Sequence, residues 1–223
     1  MKNKVVLLLS TLVIFSPLSL AKAPNIKEDV KAQPKSTMSN LAVAKQLGQI
    51  GMAQKDPLLL ISAAKLYKMT AIEEKKLERK SQGGEKSEKE SVSLNSAEAL
   101  LEAATDLSGD NKAYIAMIKE VEGLKTRGKM GGAEVHYDTI DAKGMHEYVI
   151  DYYGDEIAEL LIVGDGDTDL DLRVFDEYGN LVCEDADYSD TMYCAWVPIL
   201  NGPFVIEVTN HGRVYNEYAI ISN

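Results

Sequence analysis

From residue 133 to its end, the chain alternates apolar and polar residues with a period of two, and turn-forming residues interrupt this pattern about every eight to twelve positions. The alternation predicts eight strands, at residues 133–140, 145–153, 157–163, within 164–180, and at 181–184, 192–197, 204–209 and 215–221. So many short strands in about 90 residues are typical of an antiparallel β-sandwich or jelly roll.

Residues 38–127 show helical spacing of apolar side chains instead. Asp56-Pro57 predicts the start of a second helix, Asn95 or Ser96 the cap of a third, and Asp110 the cap of a fourth. The helices are similar to two tetratricopeptide-like hairpins, with generic helical packing as the alternative. We therefore expect an α+β chain of two domains, helical at 38–127 and sandwich at 131–223. Residues 22–37 are predicted to be a flexible linker and residues 74–93 a mobile charged loop.

The first 21 residues predict a secretory signal peptide. Lys2 and Lys4 precede the apolar run VVLLLSTLVIF, and Ser19 and Ala21 supply the small residues of a cleavage site after Ala21. The apolar run is too short for a transmembrane anchor. We therefore expect a soluble mature protein that is periplasmic or secreted.

Residues 164–180, GDGDTDLDLRVFDEYGN, join an acidic loop to an alternating strand. Calcium takes six to eight oxygen ligands, so the carboxylates in this stretch predict a calcium site. The candidate metal ligands are Asp165, Asp167, Asp169 and Asp171. An EF-hand is excluded because Leu170 replaces the required glycine and Asp176 replaces the terminal glutamate. The alternative is a solvated acidic strand face.

Cys183 and Cys194 are the only cysteines, and they lie on consecutive predicted strands. In an oxidising compartment such a pair predicts a disulfide that closes a hairpin. Nearby aromatic residues, Tyr188, Tyr193 and Trp196, supply a candidate binding surface for carbohydrate or peptide. The alternative places Trp196 in the core beside the disulfide.

The C-terminal part resembles the bacterial pre-peptidase C-terminal domain over residues 130–222. The matching segments are 164–172, 174–176, 179–182, 201–210 and 218–220. The resemblance implies a β-sandwich appended to secreted proteins, often proteases, and relatives in secreted collagenases bind calcium and substrate. Two departures are Arg173, at a position often held by an aromatic residue, and the absence of a large catalytic domain.

Composition and motifs limit the range of functions. The formal net charge of −11 makes nucleic acid a poor partner. The three histidines, His136, His146 and His211, form no recognisable catalytic or zinc motif. We expect an exported, non-catalytic binding or accessory protein whose helices contact a partner, either a protein or an extracellular polymer. The alternatives are an accessory or inhibitory partner of a secreted protease, and an unrecognised hydrolase that uses the acidic cluster.

Overall fold

A computed structural model describes residues 22–27, 36–70, 72–89, 95–124 and 133–223. The predicted signal peptide, its cleavage site and the predicted domain boundary at 128–130 lie outside these residues. The helices are α1 (Ser36–Gln54), α2 (Pro57–Met69), α3 (Ala97–Ser108) and α4 (Lys112–Glu122). The strands are β1 (Ile72–Glu74), β2 (Arg79–Glu85), β3 (Ala133–Ile140), β4 (Ala142–Tyr152), β5 (Ala158–Val163), β6 (Leu170–Phe175), β7 (Leu181–Asp185), β8 (Thr191–Trp196), β9 (Gly202–Asn210) and β10 (Asn216–Ser222).

The strands form two five-stranded sheets that pack face to face. Sheet one has the order β1-β3-β10-β5-β8 and sheet two the order β2-β4-β9-β6-β7. Large side chains such as Tyr148, Leu172, Phe204 and Tyr218 fill the space between the sheets. The predicted α+β class and all eight predicted strands of the C-terminal part are confirmed. Seven have ends within three residues of the prediction, and the fourth, β6, lies inside the predicted stretch 164–180.

The four helices cover the outer face of sheet one. Leu60 and Leu100 belong to the same buried cluster as Val135, Leu161 and Ile221 of the sheet, so helices and sheet share one apolar core. This explains why β5, with the sequence AELLIV, is buried at every position. Helix α2 packs against each of the other three helices, as its nearly continuous apolar sequence predicts.

The helix starts follow from local capping. Asp56 Oδ1 accepts a hydrogen bond of 2.8 Å from the Leu58 N–H, and Ser96 Oγ accepts one of 3.1 Å from the Ala99 N–H. The prediction for the fourth helix is wrong by one residue, because Asn111, not Asp110, caps α4. Within the part of the chain that the structure describes, no helix is long and apolar enough to cross a membrane.

The prediction of a mobile loop over 74–93 is wrong for its described part, where β2 pairs with β4. Every residue of β2 is exposed, so its sequence RKSQGGE shows no apolar alternation. Backbone pairing and surface ion pairs hold it instead, including Lys80 with Glu147 at 2.6 Å. The flexible linker is also wrong in part, because Asn25 is buried and Ile26 bridges to Pro198.

Cys183 and Cys194 form the predicted disulfide, with their Cα atoms 6.0 Å apart. The strands that it joins do not form a hairpin, however. Cys183 lies on β7 in sheet two and Cys194 on β8 in sheet one, at the same edge of the sandwich. The bond therefore links the two sheets covalently.

Candidate functional sites

The acidic loop after β5 encloses a lysine that comes from the distant segment after β2. Lys89 forms ion pairs with Asp165 and Asp167, and its Nζ lies 2.9 Å from Asp167 Oδ2. The ammonium also lies 4.3 Å from the centroid of the Tyr215 ring. Burial disfavours the charged lysine, but hydrogen bonds to the two carboxylates outweigh it and raise the pKa of Lys89. A positive charge of the protein itself therefore offsets part of the negative charge of this loop.

The other two predicted ligands lie apart from that pair. Asp171 Oδ2 is 2.8 Å from His211 Nε2, and Asp169 Oδ1 is buried without a hydrogen-bond partner among the described residues. Across residues 22–27, 36–70, 72–89, 95–124 and 133–223, no three acidic, histidine or cysteine side chains converge on a metal position. Calcium binding stays a prediction, and the ion would have to displace Lys89 from Asp165 and Asp167.

Helix α1 ties the helical layer to the acidic loop. Gln49 Nε2 donates a hydrogen bond of 2.8 Å to the Gly164 carbonyl, and Lys45 Nζ donates one of 3.1 Å to the Glu217 carbonyl. Burial lowers the pKa of Lys45 to about 8, although nearby Asp165 and Asp190 favour its charge. Sequence reasoning missed these lysines, because nothing in the local pattern indicates a contact more than 70 residues away.

The three candidate aromatic residues do not form one surface. Tyr188 is fully exposed in the β7–β8 loop, whereas Tyr193 faces the helices and donates a hydrogen bond of 2.9 Å to Glu159 Oε1. Trp196 is buried between the sheets, with its ring centroid 4.9 Å from that of Tyr152. The combined binding surface is therefore wrong, and the core placement of Trp196 is correct.

A buried polar network lies at the edge of the sandwich where β3 and β4 face each other. Tyr148 donates a hydrogen bond of 2.8 Å to Asp138 Oδ2, and its oxygen lies 2.5 Å from the Tyr218 hydroxyl. The Tyr218 hydroxyl lies 2.8 Å from His146 Nδ1. Each hydroxyl has one proton to donate, so the direction of all three hydrogen bonds is fixed. His146 Nδ1 donates to the Tyr218 hydroxyl, the Tyr218 hydroxyl donates to the Tyr148 hydroxyl, and the Tyr148 hydroxyl donates to Asp138.

Burial, hydrogen bonds and nearby charges determine which groups of this network are ionised. Burial alone would raise the pKa of Asp138, but the nearby His136 imidazole, together with hydrogen bonds from Tyr148, Thr139 and Arg79, holds it well below its usual range. Burial and the charge of Arg79 lower the pKa of His146 to about 4. At neutral pH the network thus contains an ionised carboxylate and a neutral imidazole.

An open cavity of about 760 Å³ borders this network and is lined by Arg79, His136 and Asp138, among others. His136 Nδ1 accepts a hydrogen bond of 3.1 Å from the Leu77 N–H, so its proton lies on Nε2, 3.5 Å from Asp138 Oδ2. The imidazole has no free lone pair with which to accept a proton from a substrate. The arrangement is suited to holding the sandwich edge together.

Two loops at one end of the sandwich expose large apolar side chains. The β4–β5 loop and the β8–β9 loop contact each other: the Gly154 N–H donates to Asn201 Oδ1 at 2.7 Å, and the Asp155 N–H donates to the Pro198 carbonyl at 2.8 Å. A Cβ atom on Gly154 would lie 2.9 Å from the Ile199 carbonyl oxygen, so the close approach requires glycine. We call the exposed apolar residues of these loops the end surface: Tyr153, Ile157, Ile199 and Leu200.

Asn25, in the segment 22–27, fixes the backbone of the end surface. Asn25 Oδ1 accepts a hydrogen bond of 2.9 Å from the Leu200 N–H, and Asn25 Nδ2 donates one of 3.2 Å to the Leu200 carbonyl. The Asn25 N–H donates to Asp176 Oδ2 at 2.9 Å. Leu200 is therefore held by its backbone while 59% of its surface stays exposed.

Comparisons with known proteins leave the family of the chain open. No family model and no curated protein matches it, so the resemblance to the pre-peptidase C-terminal domain stays a prediction. Among solved structures, a mitogen of Yersinia pseudotuberculosis is similar at 15% identity over 42% of this chain and 86% of the mitogen, with a TM-score of 0.32. TmCBM61 in complex with β-1,4-galactotriose matches at 14% identity over 42% of this chain and 68% of its own, with a TM-score of 0.23.

A third solved structure is Streptomyces albus HEPD with 2-hydroxyethylphosphonate and Fe(II). It is 9% identical over 85% of this chain and 44% of its own, with a TM-score of 0.15. All three TM-scores are too low for these likenesses to bear on ligand or activity.

Proposed function

We propose that this is an exported, non-catalytic binding protein that engages a partner protein through the end surface. The observation behind the proposal is that four large apolar side chains are exposed on two loops that hydrogen bonds hold rigidly. Tyr153 is 69% exposed and Leu200 59% exposed. Grouped apolar side chains on the surface of a folded protein mark interaction sites, and a fixed backbone reduces the entropy lost on binding.

The charge around the end surface indicates the chemistry of the partner. Asp151, Asp155, Glu156 and Glu177 are exposed on or beside the two loops, and Lys27 pairs with Asp155. An apolar centre with an acidic rim is complementary to a protein surface that presents apolar residues flanked by lysine or arginine. Such a partner contacts the loops directly and needs no reactive group from this chain.

The disulfide supports the export part of the proposal, because cysteines stay paired in an oxidising compartment such as the periplasm or the exterior. A calcium ion bound in the acidic loop, with the helices as a second contact surface, remains part of the proposed function. The acidic loop contacts α1 through Gln49, so a change at the loop would reach the helices directly.

A site-specific crosslinking experiment in the producing cell tests this function. A photoreactive residue at Leu200 should yield a defined adduct with one partner protein, and Tyr153→Ser should abolish that adduct. The same probe at Tyr188, which is fully exposed in another loop, is the matched control. If positions 200 and 188 gave the same set of adducts, the end surface would not be the binding site.

A further inference from the structure

The outer face of sheet two is not covered by any helix of the described residues, and the strand register places its outward side chains in rows. One row is apolar and crosses four strands: Val149, Val205, Phe175 and Leu181. Val149 is 51% exposed and Leu181 is 48% exposed. An apolar row across an open sheet face is costly in water, which indicates that something covers it.

The adjacent row on the same face is charged and crosses all five strands. In the order β2-β4-β9-β6-β7 it contains Lys80, Glu147, Glu207, Arg173 and Glu184. The two ends of the row are internally paired, with Lys80 2.6 Å from Glu147 and Arg173 2.7 Å from Glu184. The sequence of charges along the row is therefore plus, minus, minus, plus, minus.

Two copies of this row are complementary in charge when one sheet is rotated by half a turn about its central strand and placed on the other. A two-fold axis parallel to β9 exchanges β2 with β7 and β4 with β6, and it keeps each row opposite the same row of the second copy. Lys80 then faces the partner's Glu184, and Glu147 faces the partner's Arg173. Each end of the charged row becomes a four-charge network of alternating sign, which discriminates against mismatched partners.

The apolar row meets its own counterpart under the same operation. Val149 faces the partner's Phe175, and Val205 faces the partner's Val205. We propose that the occupant of this face is a second copy of the chain, packed face to face through sheet two with the two-fold axis along β9. Dimers with two-fold symmetry use one self-complementary patch on both copies, as this face provides. The inference is independent of the end surface.

The area of this face limits the stability of the dimer. Five strands about 4.8 Å apart and four outward rows about 7 Å apart give a projected area of roughly 650 Å² for each copy. This is at the low end for specific interfaces. The dimer is therefore reversible and depends on concentration. Glu207 lies on the axis opposite the partner's Glu207, and this one repulsive pair weakens the dimer further.

Analytical ultracentrifugation of the exported, disulfide-bonded protein tests the proposal. The expected result is a monomer–dimer equilibrium in the range of roughly 10 to 500 µM. Glu147→Lys and Arg173→Glu should each weaken dimerisation about tenfold, and the double variant should restore it, because residues 147 and 173 face each other across the axis. Glu207→Gln should strengthen dimerisation. Lys65→Glu, which alters an exposed ion pair in the helical layer, is the control and should change nothing.

Two results would overturn the proposal. One is a wild-type protein that stays monomeric throughout this concentration range. The other is a dimer in which the double charge reversal remains as weak as the single variants, which would place the contact on another surface. Circular dichroism and thermal unfolding of each variant separate a lost contact from a lost fold, which matters most for Glu147, because its side chain is only 20% exposed.

Discussion

Lys89 Nζ lies 2.9 Å from Asp167 Oδ2, within the acidic loop that the sequence predicts as a calcium site. A calcium ion at Asp165 and Asp167 must therefore compete with an ammonium that the protein itself supplies. We expect calcium, compared with a chelator, to raise the melting temperature more in Lys89→Gln than in the wild type. Native-state binding at 100 times the dissociation constant adds about 2.7 kcal/mol, which is easily measured by thermal unfolding.

The control for this experiment is Lys86→Gln, because Lys86 pairs with Asp141 away from the acidic loop. Asp167→Asn in the Lys89→Gln background should remove the response to calcium. Superimposable melting curves with calcium and chelator in both the wild type and Lys89→Gln would reduce the four aspartates to a solvated loop neutralised by lysine.

The buried network predicts that stability falls in mild acid. Burial and the charge of Arg79 lower the pKa of His146 to about 4, against about 6.5 in the unfolded chain. The unfolded state therefore binds the proton first, so stability is fully present above pH 6.5 and is lost as the pH falls toward 4. The loss amounts to roughly 3 kcal/mol for this shift. Urea unfolding at a series of pH values from 7 to 4 measures it.

His146→Gln should flatten the pH dependence between 6.5 and 4 while lowering stability at neutral pH. Tyr188→Phe is the control, since the Tyr188 side chain is fully exposed in the β7–β8 loop and takes no part in the network. A wild-type slope that persists in His146→Gln would assign the proton uptake to another group.

The disulfide predicts a further loss of stability on reduction. Cys183 and Cys194 are 11 positions apart and join opposite sheets, so the bond restricts the unfolded chain and also holds one edge of the sandwich. The double replacement by serine should lower the free energy of unfolding by about 3 kcal/mol. Denaturant unfolding of the oxidised protein, the reduced protein and the double variant measures it. Equal midpoints for oxidised and reduced protein would contradict this role.

The sequence predicts most strands of the C-terminal part because one face lies between the sheets and the other is less buried, which imposes a period of two. Strand β5 is buried on both faces and is recognised instead as a short apolar run. It does not predict β2, because a fully exposed strand buries no side chain and leaves no apolar period. The cysteine pair predicts the disulfide, but not that Cys183 and Cys194 lie in different sheets. Strand order depends on packing of the whole chain, whereas the pattern of one strand depends only on its own two faces.

The contacts at the candidate functional sites are even harder to predict from the sequence. Lys89 reaches Asp165 across 76 positions, and Asn25 reaches Leu200 across 175. Neither side chain belongs to a motif, because each hydrogen-bonds only to a group that the fold brings to it. Similarly, His136 and His146 lie on strands of opposite sheets, and Tyr148 and Tyr218 connect His146 to Asp138.

Asn25 holds the end surface through the backbone of Leu200. Asn25→Ala removes the two side-chain hydrogen bonds to the Leu200 N–H and carbonyl, together with the hydrogen bond from Asn25 Nδ2 to Glu177. These hydrogen bonds are part-buried, so water replaces some of the lost partners, and stability should fall by about 1 kcal/mol. The β8–β9 loop should also become more sensitive to proteases, because its backbone is no longer fixed.

Limited proteolysis with mass spectrometry, together with denaturant unfolding, measures both effects. Lys27→Ala is the matched control in the same segment, since it removes only an exposed ion pair with Asp155, and such pairs contribute less than about 1 kcal/mol. If Asn25→Ala and Lys27→Ala unfolded alike and were cleaved alike, the N-terminal segment would not fix the end surface. If Asn25→Ala alone loosened the loop, it should also weaken crosslinking from Leu200, because a mobile loop loses more entropy when it binds.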